Sequence, residues 1–194
     1  MAGSRLFNFV LAISLVMSNI MLMAGDLFVW IEVSGGKTNI CEGQKLILVG
    51  NATDGSGEYV KHSWAGNMEL AEFINDQVLT IDTKTPGQYS FEYSVWDNLE
   101  NSASTKISIN VKPLPNSRIE SKRVFISKLI GKKYPVKIYL KHKKDIKSID
   151  WYKNGEVIDS DDIFSIKVKS DGIYRAVVTS NNGCVSYSNA IVVQ

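Results

Sequence analysis

The sequence predicts an all-β chain, two small β-sandwiches in tandem behind an N-terminal export signal. Three observations carry this. Trp64 precedes Gly87-Gln88-Tyr89 at nearly the spacing by which Trp151 precedes Gly172-Ile173-Tyr174. Each Tyr opens a stretch alternating apolar and polar residues, and a polar turn and one last strand follow it. Outside the first 25 residues no stretch has convincing helical periodicity. The resulting division is a signal peptide at 1–25, an acidic sandwich at 26–112, a linker at 113–117 and a basic sandwich at 118–194.

The signal is read from Arg5, the mostly apolar run Leu6 to Leu22, and the small residues Ala24 and Gly25 before Asp26. Cleavage after Ala24 or Gly25 is expected; the alternative is an uncleaved anchor, because the run is just long enough to cross a bilayer. Phe28 to Val33 reads as the first strand and Lys45 to Gly50 as the second, with Asp54-Gly55-Ser56-Gly57 as a turn. Tyr59 to Ala65 carries Trp64, and Glu69 to Ile74 and Gln77 to Ile81 are shorter segments. Tyr89, Phe91, Tyr93 and Val95 then alternate with polar neighbours, and Ile107, Ile109 and Val111 alternate again after the Asn98–Asn101 turn. In the second half Val124 to Ser127, Tyr134 to Leu140 and Ile149 to Tyr152 are strands, the last ended by Asn154-Gly155. Ile163 to Val168, Ile173 to Thr179 and Val185 to Val193 complete the sheets.

The recurring aromatics have a structural reading. A sandwich of this size has a thin core, and one large ring bridges both sheets while burying about 150–250 Å². The Tyr after each Gly sits where the chain crosses between sheets, its hydroxyl free to satisfy a backbone group at the corner. Trp64, Tyr89, Trp151 and Tyr174 are therefore assigned to the core.

The net charge of +2 hides an asymmetry. From Asp26 to Lys112 there are 12 acidic and 6 basic residues; from Pro113 onward there are 8 acidic and 15 basic. Opposite charge favours weak, salt-dependent docking of the halves. The basic residues are mostly scattered Lys without interleaved aromatics, so specific nucleic-acid binding is not expected.

Trp64 with Gly87-Gln88-Tyr89, and Trp151-Tyr152-Lys153-Asn154-Gly155 with Gly172-Ile173-Tyr174, resemble immunoglobulin-like and PKD-like repeats. The phrases Ile40-Cys41-Glu42-Gly43 and Asn182-Gly183-Cys184 are similar to those in such repeats on exported proteins of gliding-type Gram-negative bacteria. The resemblance covers nearly all of the chain after the signal and implies a surface or periplasmic module. It does not imply one function, since this fold serves adhesion, ligand binding and spacing alike. In such repeats both cysteine phrases commonly share a domain, whereas here the first half keeps only Cys41 and the second only Cys184. Strand order puts Cys41 near the start of the second strand, at the end where that domain exits into the linker. Cys184 lies in the turn before the last strand, at the end where its domain is entered. An interdomain bridge is one outcome, permitted by export. Two relic thiols, each packed as a small apolar residue, are the other.

Catalytic chemistry finds little support. His62 and His142 are the only histidines and fall in different halves, and neither a phosphate-binding loop nor a nucleophile elbow is present. No catalytic residue, cofactor or metal is assigned, and an enzyme is not expected. Asp159-Ser160-Asp161-Asp162 offers hard oxygen ligands but lacks the spacing of a recognised Ca²⁺ loop, so a solvated turn is the reading adopted. The binding candidates are aromatics read as exposed: Trp96 and Tyr59 in the first half, Tyr152 and Tyr187 in the second. Trp96 lies opposite the Tyr93 face, placed either to stack on a sugar or anchor a partner, or to pack against the second domain or the N-terminal segment. The expected function is a secreted, periplasmic or cell-surface adhesion or protein-interaction module, its partner an envelope or surface protein or a glycan. The alternatives are a carbohydrate-binding accessory protein and a structural spacer or subunit of an envelope assembly. No membrane span is expected in the mature chain.

Overall fold

The structure, a computed structural model, describes residues 25–123, 131, 135–160 and 162–194. Residues 1–24 of the signal peptide expected at 1–25, the strand expected at Val124–Ser127, Tyr134 and Asp161 lie outside the described residues. Among the described residues no helix is long and apolar enough to cross a membrane.

The first half contains β1 (Phe28–Val33), β2 (Asn39–Cys41), β3 (Leu46–Thr53), β4 (Tyr59–Gly66), β5 (Ala71–Ile74), β6 (Val78–Ile81), β7 (Gly87–Asp97) and β8 (Ser102–Lys112). They form two sheets, ordered β1-β3-β6-β5 and β2-β8-β7-β4. The second half contains β9 (Ile119–Arg123), β10 (Val136–Leu140), β11 (Ile146–Lys153), β12 (Glu156–Ile158), β13 (Ser165–Val168), β14 (Gly172–Ser180), β15 (Val185–Tyr187) and β16 (Ile191–Val193). Their sheets run β13-β10-β9 and β12-β11-β14-β15, with β16 also pairing with β14. Consecutive strands repeatedly switch sheets, as in an immunoglobulin-like sandwich.

Each half has its own core. Leu48, Leu79, Ile81, Phe91, Tyr93, Val95 and Ile109 centre the first; Ile138, Leu140, Trp151, Tyr174, Ala176 and Val178 centre the second. Alternation in β7 puts Phe91, Tyr93 and Val95 inside, and β14 does the same with Tyr174, Ala176 and Val178. The corners are built alike: the Tyr89 hydroxyl donates to the Thr85 carbonyl at 2.9 Å, and the Tyr174 hydroxyl to the Ser170 carbonyl at 2.9 Å. The copies are not equivalent in depth. Tyr174 is buried, whereas Tyr89 is only half-buried and packs at the margin of its core. Tyr93 takes the central place instead, its ring 4.7 Å from that of Trp64 and its hydroxyl 2.7 Å from His62 Nδ1. Burial, with the Asp76 charge adding to it, pushes the Tyr93 phenol up to about 12. Trp151 Nε1 donates to the Ile163 carbonyl at 3.3 Å, while the buried Nε1 of Trp64 finds no partner among the described residues.

Several elements differ from the sequence reading. β2, β9 and β12 are short strands without periodicity of their own. Glu69–Ile74 divides into a 3-10 turn at Met68–Leu70 and β5. The last strand, expected as one run from Val185 to Val193, is two, broken at 188–190.

Asp97 closes the open end of the first sandwich. Its carboxylate is buried and accepts from Ser56 N, Leu99 N, Asn101 N and Asn101 Nδ2, each at 2.9–3.0 Å. The bond from the Asn101 side chain is the main cause holding its pKa below the ordinary 3.8; desolvation opposes it, and the backbone donors add to it. A depressed folded-state pKa stabilises above the unfolded value and is lost as pH falls through the folded one. The urea midpoint of the first sandwich is therefore expected to fall as pH drops below the ordinary carboxylate value. Asp97→Asn, measured in the same titration, lowers the midpoint at neutral pH and flattens its dependence on acid.

Candidate functional site

Two of the four aromatics singled out for binding are not free platforms. Lys61, opposite Trp96 across the β4–β7 pair, places its Nζ 4.5 Å from the centre of the Trp96 ring and covers one face. Trp96 is thus half-buried under a cation–π contact, not open to solvent. Tyr59 packs against the first core, its hydroxyl donating to the Asp54 carbonyl at 3.2 Å. Neither cover is visible in a single strand: Lys61 reaches Trp96 through the β4–β7 register, and Tyr59 is held by the first core and by the Asp54 carbonyl. Tyr152 is half-buried and Tyr187 is 77% exposed, and these two are brought together.

They flank a trough on the outer face of the sheet β12-β11-β14-β15. Its volume is about 580 Å³, within the range of ligand sites, and Tyr152, Asn154, Ile173, Arg175, Val177 and Tyr187 line it. Register explains the grouping. Tyr152 of β11 lies opposite Arg175 of β14, and Val177 of β14 lies opposite Tyr187 of β15. The two tyrosines therefore stand on strands flanking β14, roughly 10 Å apart across the sheet. Val157 of β12 faces Tyr152, and Val192 of β16 faces Ile173, so apolar side chains continue the face to both edges.

The depression itself comes from the break in the last strand. Pairing is regular at Val177↔Tyr187 and resumes at Tyr174↔Ile191 with one extra residue in the last strand, a bulge at 188–190. Ser188 sits in it: its backbone N donates to the Ala176 carbonyl and its hydroxyl accepts from Ala176 N. Asn189 is turned towards β9, accepting from Ile119 N at 3.0 Å and donating to the Ile119 carbonyl at 3.2 Å. The position beside Arg175 therefore lacks a large side chain on its β16 side. At the other end the Asn154-Gly155 turn, with both residues at positive φ, closes the trough, and Asn154 Oδ1 accepts from Ile173 N at 2.9 Å.

Arg175, Ile173 and Val177 were missed by the sequence reading, although a signal was present. The face of β14 opposite Tyr174, Ala176 and Val178 should be polar if solvated, yet it carries Ile173 and Val177. Phe28 and Trp30, stacked on the outer face of β1 with centroids 5.9 Å apart, were likewise not singled out.

The cysteines meet at the junction. Cys41 and Cys184 are bonded, with Cα atoms 5.7 Å apart. Cys41 reaches this end because β2 runs parallel to β8, pairing Cys41 with Lys112, rather than by alternation from the second strand. The linker is zipped along the second sandwich: the Ser186 hydroxyl donates to the Pro115 carbonyl at 2.6 Å, and that of Ser117 to the Tyr187 carbonyl at 2.8 Å.

Among the described residues no three His, Cys, Asp or Glu side chains converge as a metal site. Asp162 is occupied with its own turn, accepting from Phe164 N at 2.9 Å and the Ser165 hydroxyl at 2.7 Å. His62 serves Tyr93, and His142 is exposed in the other half.

No protein-family model matches the chain, and no curated protein matches it. Among solved structures it is similar to the Bacteroides ovatus mixed-linkage glucan utilization locus protein SGBP-B in complex with a mixed-linkage heptasaccharide, at 16% identity and a TM-score of 0.36, over 87% of this chain and 47% of that one. The chain thus spans about half the length of that protein. It is also similar to murine CEACAM1b, at 14% identity and a TM-score of 0.39 over 86% and 99%, and to the fibronectin(III)-like modules of Clostridium thermocellum CbhA, at 11% and 0.37 over 85% and 94%. Likeness at this level does not extend to function.

Proposed function

We propose that this chain is an exported, non-catalytic interaction module that engages an envelope or surface protein through the outer face of its second sandwich. The observation that carries the reading is the apolar character of that face. Val157, Ile173, Tyr187 and Val192 are exposed side by side around a formed trough, where a solvated sheet would be polar. Binding is by surface complementarity, with Tyr152 and Tyr187 as rigid anchors at the trough walls. The carbohydrate alternative draws on the same two rings.

The test is retention of envelope proteins on the immobilised full chain, in low and high salt, against a glycan panel. Replacing Tyr152 and Tyr187 together with Ser is expected to weaken retention by roughly 30-fold or more while leaving the thermal midpoint unchanged. Retention that is indifferent to both tyrosines overturns the assignment of this face. Dependence on the tyrosines with only glycans bound selects the alternative.

A further inference from the structure

We propose that the trough takes an acidic polypeptide segment, a carboxylate held by Arg175 between Tyr152 and Tyr187 with apolar side chains on either side. This rests on the reading of the face as a protein-binding surface and names the chemistry of its partner. Arg175 projects from the middle of β14 and is exposed, and its guanidinium makes no ion pair or hydrogen bond with the described residues. Two other cations of this half are engaged: Lys141 pairs with Glu120 at 2.9 Å and Arg118 with Glu120 at 3.7 Å. Asp150, opposite Val177, is the one acid on the same face of β11, and it forms no ion pair with Arg175.

The surroundings suit a carboxylate. The guanidinium presents a planar fork of donors that matches it in two parallel bonds. Apolar neighbours on both sides reduce competition from water, and the bulge at 188–190 leaves the approach open from the β16 side. The excess of basic residues in this half adds long-range attraction for an acidic partner.

The choice of polypeptide over acidic glycan follows from the polar groups. A sugar needs several free donors and acceptors around its ring. Here Asn154 Oδ1 is taken by Ile173 N, and the Ser188 hydroxyl accepts from Ala176 N and donates to the Asn189 carbonyl at 2.7 Å. What remains free is one guanidinium, two phenols, the side-chain nitrogen of Asn154 and a band of aliphatic side chains. That set fits a Glu or Asp flanked by Leu, Val or Ile in an extended segment.

The experiment uses the full chain on a biosensor surface with three probes: an end-capped octapeptide of Val and Leu with two central Glu, the same peptide with Gln in their place, and hexagalacturonate. The Glu peptide is expected to bind at least about tenfold more tightly than the Gln peptide. Arg175→Gln should bring the two peptides to equal affinity at an unchanged thermal midpoint, and Arg175→Lys should restore only part of the difference. Equal binding of the Glu and Gln peptides to the native chain overturns the proposal, as does binding of hexagalacturonate without the Glu peptide. If no probe binds, the carboxylate assignment fails, while retention of envelope proteins that depends on Tyr152 and Tyr187 still upholds the reading of the face.

Discussion

Removing the bridge between the two sandwiches, by Cys41→Ser with Cys184→Ala, is expected to destabilise both of them, although it touches the core of neither. Alanine is the choice at 184 because that side chain is fully buried and a serine hydroxyl there would need a partner. The bonded residues are 143 apart in sequence, and the linker falls midway between them. When one sandwich unfolds while the other stays folded, the bridge and the linker together still pin both ends of a loop of roughly 70 residues, which restricts the unfolded half by about 4 kcal/mol on loop-closure entropy alone. Unfolding both halves closes the whole loop and costs about 5 kcal/mol on the same basis. The near-symmetry has a consequence: the bridge protects each sandwich by a similar amount, whichever is intrinsically weaker. Urea unfolding followed by far-UV circular dichroism, with a second probe on Trp151 emission, checks this. The bridged chain should unfold at higher urea at both probes than the variant, and reductant should convert one behaviour into the other. Equal midpoints with and without the bridge would sink the argument.

The split between what was legible in the sequence and what was not follows physical range. Alternation in β7 and β14 reports a neighbour on one face, so the inward positions and the fold class could be read from single residues such as Phe91, Tyr93 and Val178. The Gly-x-Tyr corners were legible because the hydroxyl reaches a carbonyl only four residues back. Trp96 was misread because its cover is Lys61, which is set by the register of β4 against β7 and by nothing local. The trough was hidden for a similar reason. It depends on one extra residue at 188–190 and on Asn189 turning towards β9, some 70 residues away in sequence. The junction was a mixed case. Both cysteines were placed at the right ends, but the parallel pairing of β2 with β8 that puts Cys41 there leaves no periodic trace in a strand of three residues. Tyr152 and Tyr187 were visible as candidates, while Arg175 between them was not, because a single charged residue in a strand is the usual sign of a solvated face.

Gly50→Ala is expected to be among the most damaging single changes in the first sandwich, at roughly 2–4 kcal/mol, although alanine is ordinarily a mild substitution. Gly50 lies in the middle of β3, where glycine is normally unfavourable for want of a side chain to pack. The reason for it stands on the opposite sheet. A Cβ at this position would fall well inside van der Waals contact with Cζ and both Cε atoms of Tyr93, so the ring is seated end-on against the bare backbone. Tyr93 cannot yield easily, since Trp64 packs on its ring and His62 holds its hydroxyl. Nor can β3 retreat, because Gly50 N donates to the Gln77 carbonyl at 2.7 Å and Gly50 pairs with Ile31 of β1. The clash is with the ring carbons, which separates this account from any general cost of altering β3. Tyr93→Phe keeps Cζ and both Cε atoms, so it should not rescue Gly50→Ala and should add the loss of the His62 bond. Tyr93→Leu removes those atoms. It is costly alone, at about 3 kcal/mol or more, but in combination with Gly50→Ala the two losses should fall short of their sum by more than about 1 kcal/mol. Urea midpoints of the two single tyrosine variants, of Gly50→Ala and of the two doubles decide it. Strict additivity with Leu, or rescue by Phe, would place the need for glycine in the backbone of β3 rather than in the ring that faces it.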